Sequence, residues 1–85
     1  MKILLLAFVL LLSPPLLAGP INVNTADVQT LDRELPGIGP ALAKRIVDYR
    51  ERHGPFRRPE DLQKVPYVGI KTFERLRRFV RVEDS

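Results

Sequence analysis

The residues best suited to bind a ligand lie at two bends of similar sequence, LPGIG at 35–39 and VPYVG at 65–69. We call them hairpin one and hairpin two. In both, an apolar residue and a proline precede an apolar residue and a glycine, and a helix is expected to follow. The first amides of a helix have no internal acceptor and lie at the positive end of its dipole, so they can bind a phosphate. A plain tight turn is the alternative interpretation.

The predicted interface consists of main-chain amides at the hairpins and of polar or basic side chains beside them. Amides bind phosphates rather than base edges, so such an interface would be indifferent to nucleotide sequence. The candidate DNA-binding residues are Gly37, Ile38, Gly39, Ala41, Lys44, Arg45, Val68, Gly69, Ile70, Lys71, Thr72, Arg75 and Arg78. We expect the Ile38 side chain to point inward. Lys71, Arg75 and Arg78 are spaced as one helical stripe, which is either a DNA-binding face or a solvated one.

The positive charge is concentrated around these candidate residues. The net charge of the chain is +4, but between Lys44 and Arg81 twelve Lys or Arg accompany five Asp or Glu. A basic centre favours a polyanionic partner, although a soluble surface also carries charge. The chain has no cysteine and one histidine, and its carboxylates show no pattern suited to holding metal ions. We therefore expect a binding protein and not an enzyme, without a metal or a cofactor.

Residues 1–18 have the pattern of a secretory signal peptide. A short positive start, Met1-Lys2, is followed by the apolar run 3–12, and Ala18 is a small residue suited to cleavage. The apolar stretch is shorter than the roughly 20 residues that cross a bilayer. We expect cleavage after Ala18 or Gly19 and a periplasmic or secreted protein. An uncleaved segment that anchors the protein to a membrane is the alternative.

The remaining chain predicts an all-α fold of four to five short helices. Its segments are a lead-in strap at 19–26, a domain at 27–82 and a tail at 83–85. The predicted helices cover about 27–35, 40–53, 59–65 and 70–79. The first is capped by Asp27, with Thr25 as the alternative cap. Behind the two hairpins, Ile46 matches Leu76 and Tyr49 matches Phe79. Such a repeat indicates duplicated units, so we predict two helix–hairpin–helix units packed about a pseudo-two-fold axis.

Four stretches, INVNTAD, LPGIGPALAKRIVDYRERHGPF, EDLQKVPYVGIKTFERL and FVRV, together resemble the tandem helix-hairpin-helix domain of the ComEA-like competence DNA receptors. The resemblance covers about residues 21–82. It implies a periplasmic or membrane-anchored protein that binds double-stranded DNA without sequence preference and assists DNA uptake during natural transformation. The chain departs from the family pattern at Tyr67, which replaces the first glycine of hairpin two, and at Leu42, where relatives often have a lysine.

Two other functions are compatible with the same residues. A secreted protein-interaction module would use the basic surface to dock an acidic partner, such as a DNA-uptake pilus protein or a membrane-channel protein. A DNA-repair accessory domain would share the fold but work in the cytoplasm, and the signal-peptide pattern disfavours it.

Overall fold

The computed structural model describes residues 19–83, and the predicted signal peptide lies outside them. In chain order the elements are β1 (Ile21–Asn22), α1 (Val28–Glu34), α2 (Gly39–His53), the 3₁₀ helix η1 (Pro59–Lys64), α3 (Ile70–Leu76), the 3₁₀ helix η2 (Arg77–Phe79) and β2 (Val80–Arg81). The mostly helical architecture with its hairpins is confirmed. None of the helices at 19–83 combines the length and the apolar character that crossing a membrane requires.

Helix α1 begins at the predicted cap residue, Asp27. Its Oδ1 accepts a hydrogen bond from the Thr30 amide at 2.8 Å, and this satisfies one of the amides that a helix start leaves without a partner. The same bond lowers the pKa of the Asp27 carboxyl below its ordinary value. The helix stops at Glu34, since Leu35 is extended and precedes a proline, which disfavours the helical conformation in the residue before it.

The other helices differ from the prediction mainly in type. Helix α2 ends where expected, at His53. Gly54, which follows it, has a φ of 89° and donates its N–H to the Arg50 carbonyl at 2.9 Å. The predicted third helix is the 3₁₀ helix η1. The predicted fourth helix is divided into α3 and η2, so that Val80 is buried at 5% exposure while Phe79 is 39% exposed.

A pair of short strands corrects the prediction that the domain is purely α-helical. Strands β1 and β2 are parallel, with Ile21 opposite Val80 and Asn22 opposite Arg81. The pairing continues as the Val23 amide donates to the Arg81 carbonyl at 3.1 Å. Strands of two residues are too short to produce an alternating sequence pattern, so only the folded chain reveals them. The predicted tail therefore begins just after the sheet.

A single apolar core lies beneath both hairpins. Each half contributes equivalent side chains, such as Ile46 from α2 and Leu76 from α3, which have no exposed area. The buried apolar residues are Val23, Leu31, Leu35, Ile38, Ala43, Ile46, Phe56, Leu62, Val65, Val68, Phe73, Leu76 and Val80. Since they come from every part of the described chain, the two halves depend on each other for burial.

The lead-in strap is tied to the domain by the side chain of Asn24. Its Nδ2 donates to the carbonyls of Phe56 and Glu83, both at 3.0 Å. Its Oδ1 accepts from the Phe56 amide at 2.7 Å. The Arg50 guanidinium also donates to the strap, to the Val23 carbonyl at 2.9 Å. The strap is therefore an ordered part of the fold. It joins the segment after β2 to the loop after α2.

Asp61 makes the stability of the domain depend on pH in the acid range. The residue is 8% exposed, and its Oδ2 accepts from the amides of Arg57 at 3.1 Å and Arg58 at 3.3 Å. The bond from Arg57 is the main reason that the pKa of Asp61 is lowered. The stabilisation is thus complete above the unfolded pKa, about 3.9, and is lost as the pH falls through the lower pKa of the folded state.

We expect Asp61→Asn to lower the free energy of unfolding by about 1 kcal/mol at neutral pH. The difference from the wild type should shrink as the pH falls below the unfolded-state pKa, about 3.9, because the wild-type carboxyl then becomes protonated as well. Urea unfolding at neutral and at acid pH measures the effect, and Asp32→Asn on the exposed face of α1 is the control. An unchanged difference at acid pH would show that the charge of Asp61 is irrelevant.

Candidate nucleic-acid interface

The two hairpins share one unusual main-chain conformation at their third residue. Gly37 in hairpin one has a φ of 76°, and Tyr67 in hairpin two has a φ of 75°. Tyr67 is the only non-glycine residue of the described chain with a positive φ. The hairpins differ at their last residue, because Gly39 has a φ of 72° whereas Gly69 has a φ of −89°. Hairpin two therefore has the same bend as hairpin one despite its different sequence. The main-chain conformation of the residue that leads into the following helix is different.

The apolar side chains of both hairpins point into the core. Leu35 and Ile38 of hairpin one are 2% and 8% exposed, and Val65 and Val68 of hairpin two are 1% and 3% exposed. The inward orientation predicted for Ile38 is confirmed, and Val68 follows it. A partner can therefore reach these residues only through their main chain.

Several main-chain amides at the hairpins are available to an anion. Within residues 19–83, no acceptor is present for the N–H groups of Gly37, Gly39, Ala41, Gly69, Ile70 and Lys71. The Val68 amide was predicted as a further donor, but it bonds to the Val65 carbonyl at 3.0 Å. This correction follows from the turn itself, since a bond from its fourth residue to its first closes many β-turns.

A guanidinium from the first half of the domain lies at hairpin two. The Arg45 side chain extends from α2, and its Cζ is 4.3 Å from the centre of the Tyr67 ring. This distance is within the range of a cation–π contact. Tyr67 itself is 76% exposed, so the contact is at the surface.

A guanidinium from the second half lies at hairpin one. A Cβ atom added at Gly37 would be 2.7 Å from Nη1 of Arg75, which extends from α3. Arg45 and Arg75 occupy equivalent positions of the repeat, as do Tyr67 and Gly37. Each half thus places an arginine on the hairpin of the other half. Neither arginine belongs to an ion pair at 19–83.

The other predicted side chains are less uniform. Lys44 is paired with Asp48 on the next turn at 3.2 Å. Lys71, Arg75 and Arg78 are all exposed, but the helix ends before Arg78, which lies in η2. Thr72 is half-buried, and Ile70 is 65% exposed. Sequence spacing therefore identified the exposed basic residues. It did not predict that Arg45 and Arg75 each lie beside the hairpin of the opposite half.

The family model of the helix-hairpin-helix motif matches residues 18–81. The chain belongs to the helix-hairpin-helix family. The match covers both hairpins and both strands, so the strand pair lies within the helix-hairpin-helix domain.

Three relatives illustrate how this helix-hairpin-helix domain recurs in longer proteins. The chain is 38% identical over 63 residues to ComE operon protein 1 of Bacillus subtilis strain 168, which is 74% of this chain and 30% of that protein. It is 38% identical over 65 residues to an uncharacterized protein of Haemophilus influenzae, 76% of this chain and 58% of that protein. It is also 38% identical over 65 residues to mouse endonuclease/exonuclease/phosphatase family domain-containing protein 1, 76% of this chain but 11% of that protein. The chain therefore aligns with only part of each relative.

Proposed function

We propose that this protein binds the phosphate backbone of double-stranded DNA without sequence preference, outside the cytoplasm, during DNA uptake in natural transformation. The observation that carries the proposal is the reciprocal arrangement of the hairpins, each with free amides and an arginine from the opposite half. Membership of the helix-hairpin-helix family and the similarity to ComE operon protein 1 support it. The proposed role is binding alone, without catalysis.

The chemistry of the interface supports a duplex as the partner. Free amides donate to phosphate oxygens and carry no base specificity. Charge-assisted bonds from a planar guanidinium strengthen such contacts. Because the repeat provides two such groups of donors, each hairpin would hold one strand of a duplex across the minor groove.

The location outside the cytoplasm rests on the signal-peptide pattern at 1–18. N-terminal sequencing of the exported protein tests this part of the proposal. A new N-terminus at Gly19 or Pro20 would support a periplasmic or secreted protein. Recovery of the full-length chain in the membrane fraction would favour the anchored form, and recovery in the cytosol would contradict both.

Titration of residues 19–85 against a random-sequence duplex tests DNA binding. We expect an affinity that falls steeply with salt, since bound phosphates release their counterions. The absence of binding at low salt would remove the proposal.

A matched pair of glycine variants tests whether hairpin one is in the interface. Gly39 and Gly54 both have a positive φ, 72° and 89°, and a Cβ atom added at either position would have no neighbouring atom within 4 Å. Alanine at either position therefore strains the backbone without a clash, at a cost of about 1–3 kcal/mol. We expect only Gly39→Ala to weaken duplex binding, by about tenfold, because its methyl group blocks the approach of a phosphate. Equal affinities of the two folded variants would contradict the proposed site.

A further inference from the structure

Tyr67 occupies a position where stability alone would favour glycine. Its φ of 75° lies in the left-handed region, which is unfavourable for a residue with a Cβ atom. The residue is 76% exposed and so adds little to the core. Strain of this kind is concentrated at functional sites. We therefore expect the Tyr67 ring to have a function outside the core.

The contact that the ring makes is with Arg45, at 4.3 Å from the ring centre. An arginine side chain is long and flexible, and holding it in one conformation costs conformational entropy. A guanidinium that is stacked on a ring is restrained, yet the N–H groups at its edge stay free to donate in its plane. The ring therefore holds Arg45 in place while the donors in the plane of its guanidinium stay available to an anion.

The two hairpins obtain their arginine in different ways. At hairpin one the Arg75 guanidinium lies directly over the bare main chain of Gly37. At hairpin two the main chain carries the Tyr67 ring, and the guanidinium of Arg45 rests on that ring. Both hairpins therefore have an arginine beside them. At hairpin two the arginine contacts the Tyr67 ring, whereas at hairpin one it contacts the main chain.

We propose that Tyr67 is a positioning residue, whose ring holds the Arg45 guanidinium of the opposite half beside hairpin two as a ligand for a DNA phosphate. This inference rests on the proposed function, because it specifies how one hairpin holds the same polyanion. The surrounding charge favours a nucleic acid over an apolar protein surface as the occupant, since Lys71 and Arg78 are also exposed.

The test compares Tyr67→Gly, Tyr67→Phe, Arg45→Ala and the double variant Arg45→Ala/Tyr67→Gly in titrations of random-sequence duplex at several salt concentrations. Tyr67→Gly should melt at the same temperature as the wild type or higher, because glycine relieves the strain. A loss of affinity therefore cannot be assigned to unfolding. Tyr67→Phe keeps the ring and is the matched control for the loss of the hydroxyl.

We expect Tyr67→Gly to lower the affinity about fivefold and Arg45→Ala about tenfold, the latter with a salt slope smaller by about 0.9. The double variant should bind like Arg45→Ala alone, because a positioning residue has no effect once its target is absent. Tyr67→Phe should match the wild type. Wild-type affinity in Tyr67→Gly, or losses that multiply in the double variant, would overturn the positioning role. A wild-type protein that binds no duplex would instead remove the proposed function itself.

Discussion

We expect replacement of Arg45 and Arg75 together by alanine to lower the affinity for a random-sequence duplex about 100-fold at low salt. Each of the two substitutions removes a guanidinium that lies beside the hairpin of the opposite half. A hydrogen bond to a charged group contributes about 1.5–3 kcal/mol, so two losses at the lower end of this range give an effect of about this size. The slope of log affinity against log salt should decrease by about 1.8, since two phosphate contacts are lost.

The matched control is Arg33→Ala/Arg77→Ala, which changes the net charge equally. Both of these arginines are exposed and already paired with carboxylates, Arg33 with Glu34 at 3.0 Å and Arg77 with Glu74 at 3.3 Å. Exposed pairs of this kind contribute little to stability, so both double variants should fold. If the two lose the same affinity, net charge rather than the placement of Arg45 and Arg75 drives binding.

Asn24→Ala should be among the most destabilising single polar substitutions in the domain. It removes three hydrogen bonds between the side chain and the main chain of Phe56 and Glu83. At about 1 kcal/mol for each bond, the free energy of unfolding should fall by about 3 kcal/mol. In a domain of this size that corresponds to a melting temperature lower by roughly 12–24 °C.

Thermal unfolding followed by circular dichroism measures this change. Gln63→Ala, which removes an exposed amide side chain from η1, is the control and should melt like the wild type. Duplex binding of folded Asn24→Ala at low temperature should be retained, because Asn24 lies outside both hairpins. A melting temperature within a few degrees of the wild type would show that the strap is dispensable.

The sequence predicted those features that depend on local chemistry. Asp27 caps α1 because its side chain reaches an amide three residues away, and Gly54 ends α2 because glycine tolerates the conformation needed there. The repeat located both hairpins and the inward side chain of Ile38, since burial recurs at equivalent positions. These signals are encoded within a few residues of where they act.

Features that depend on distant pairing were not predicted. The partners in the strand pair, Ile21 and Val80, are far apart in the sequence and carry no shared pattern. The Arg45–Tyr67 and Arg75–Gly37 contacts depend on how the two halves pack. The repeat nevertheless held a signal for them, because Arg45 and Arg75 are separated by the same 30 positions as Gly37 and Tyr67. The Val68 amide was misjudged because helix geometry alone omits the bond that closes the turn.

Hydrogen bonds connect the strap to the segment around β2. Asn24 bonds to Glu83, which is 59 positions away, and Arg81 bonds to Pro20, which is 61 positions away. On the ribosome, the partners of Pro20 and Asn24 are therefore synthesised long after those two residues. A nascent chain that stops before Val80 lacks them and cannot complete its core. Folding of the domain must therefore wait until these residues have been synthesised.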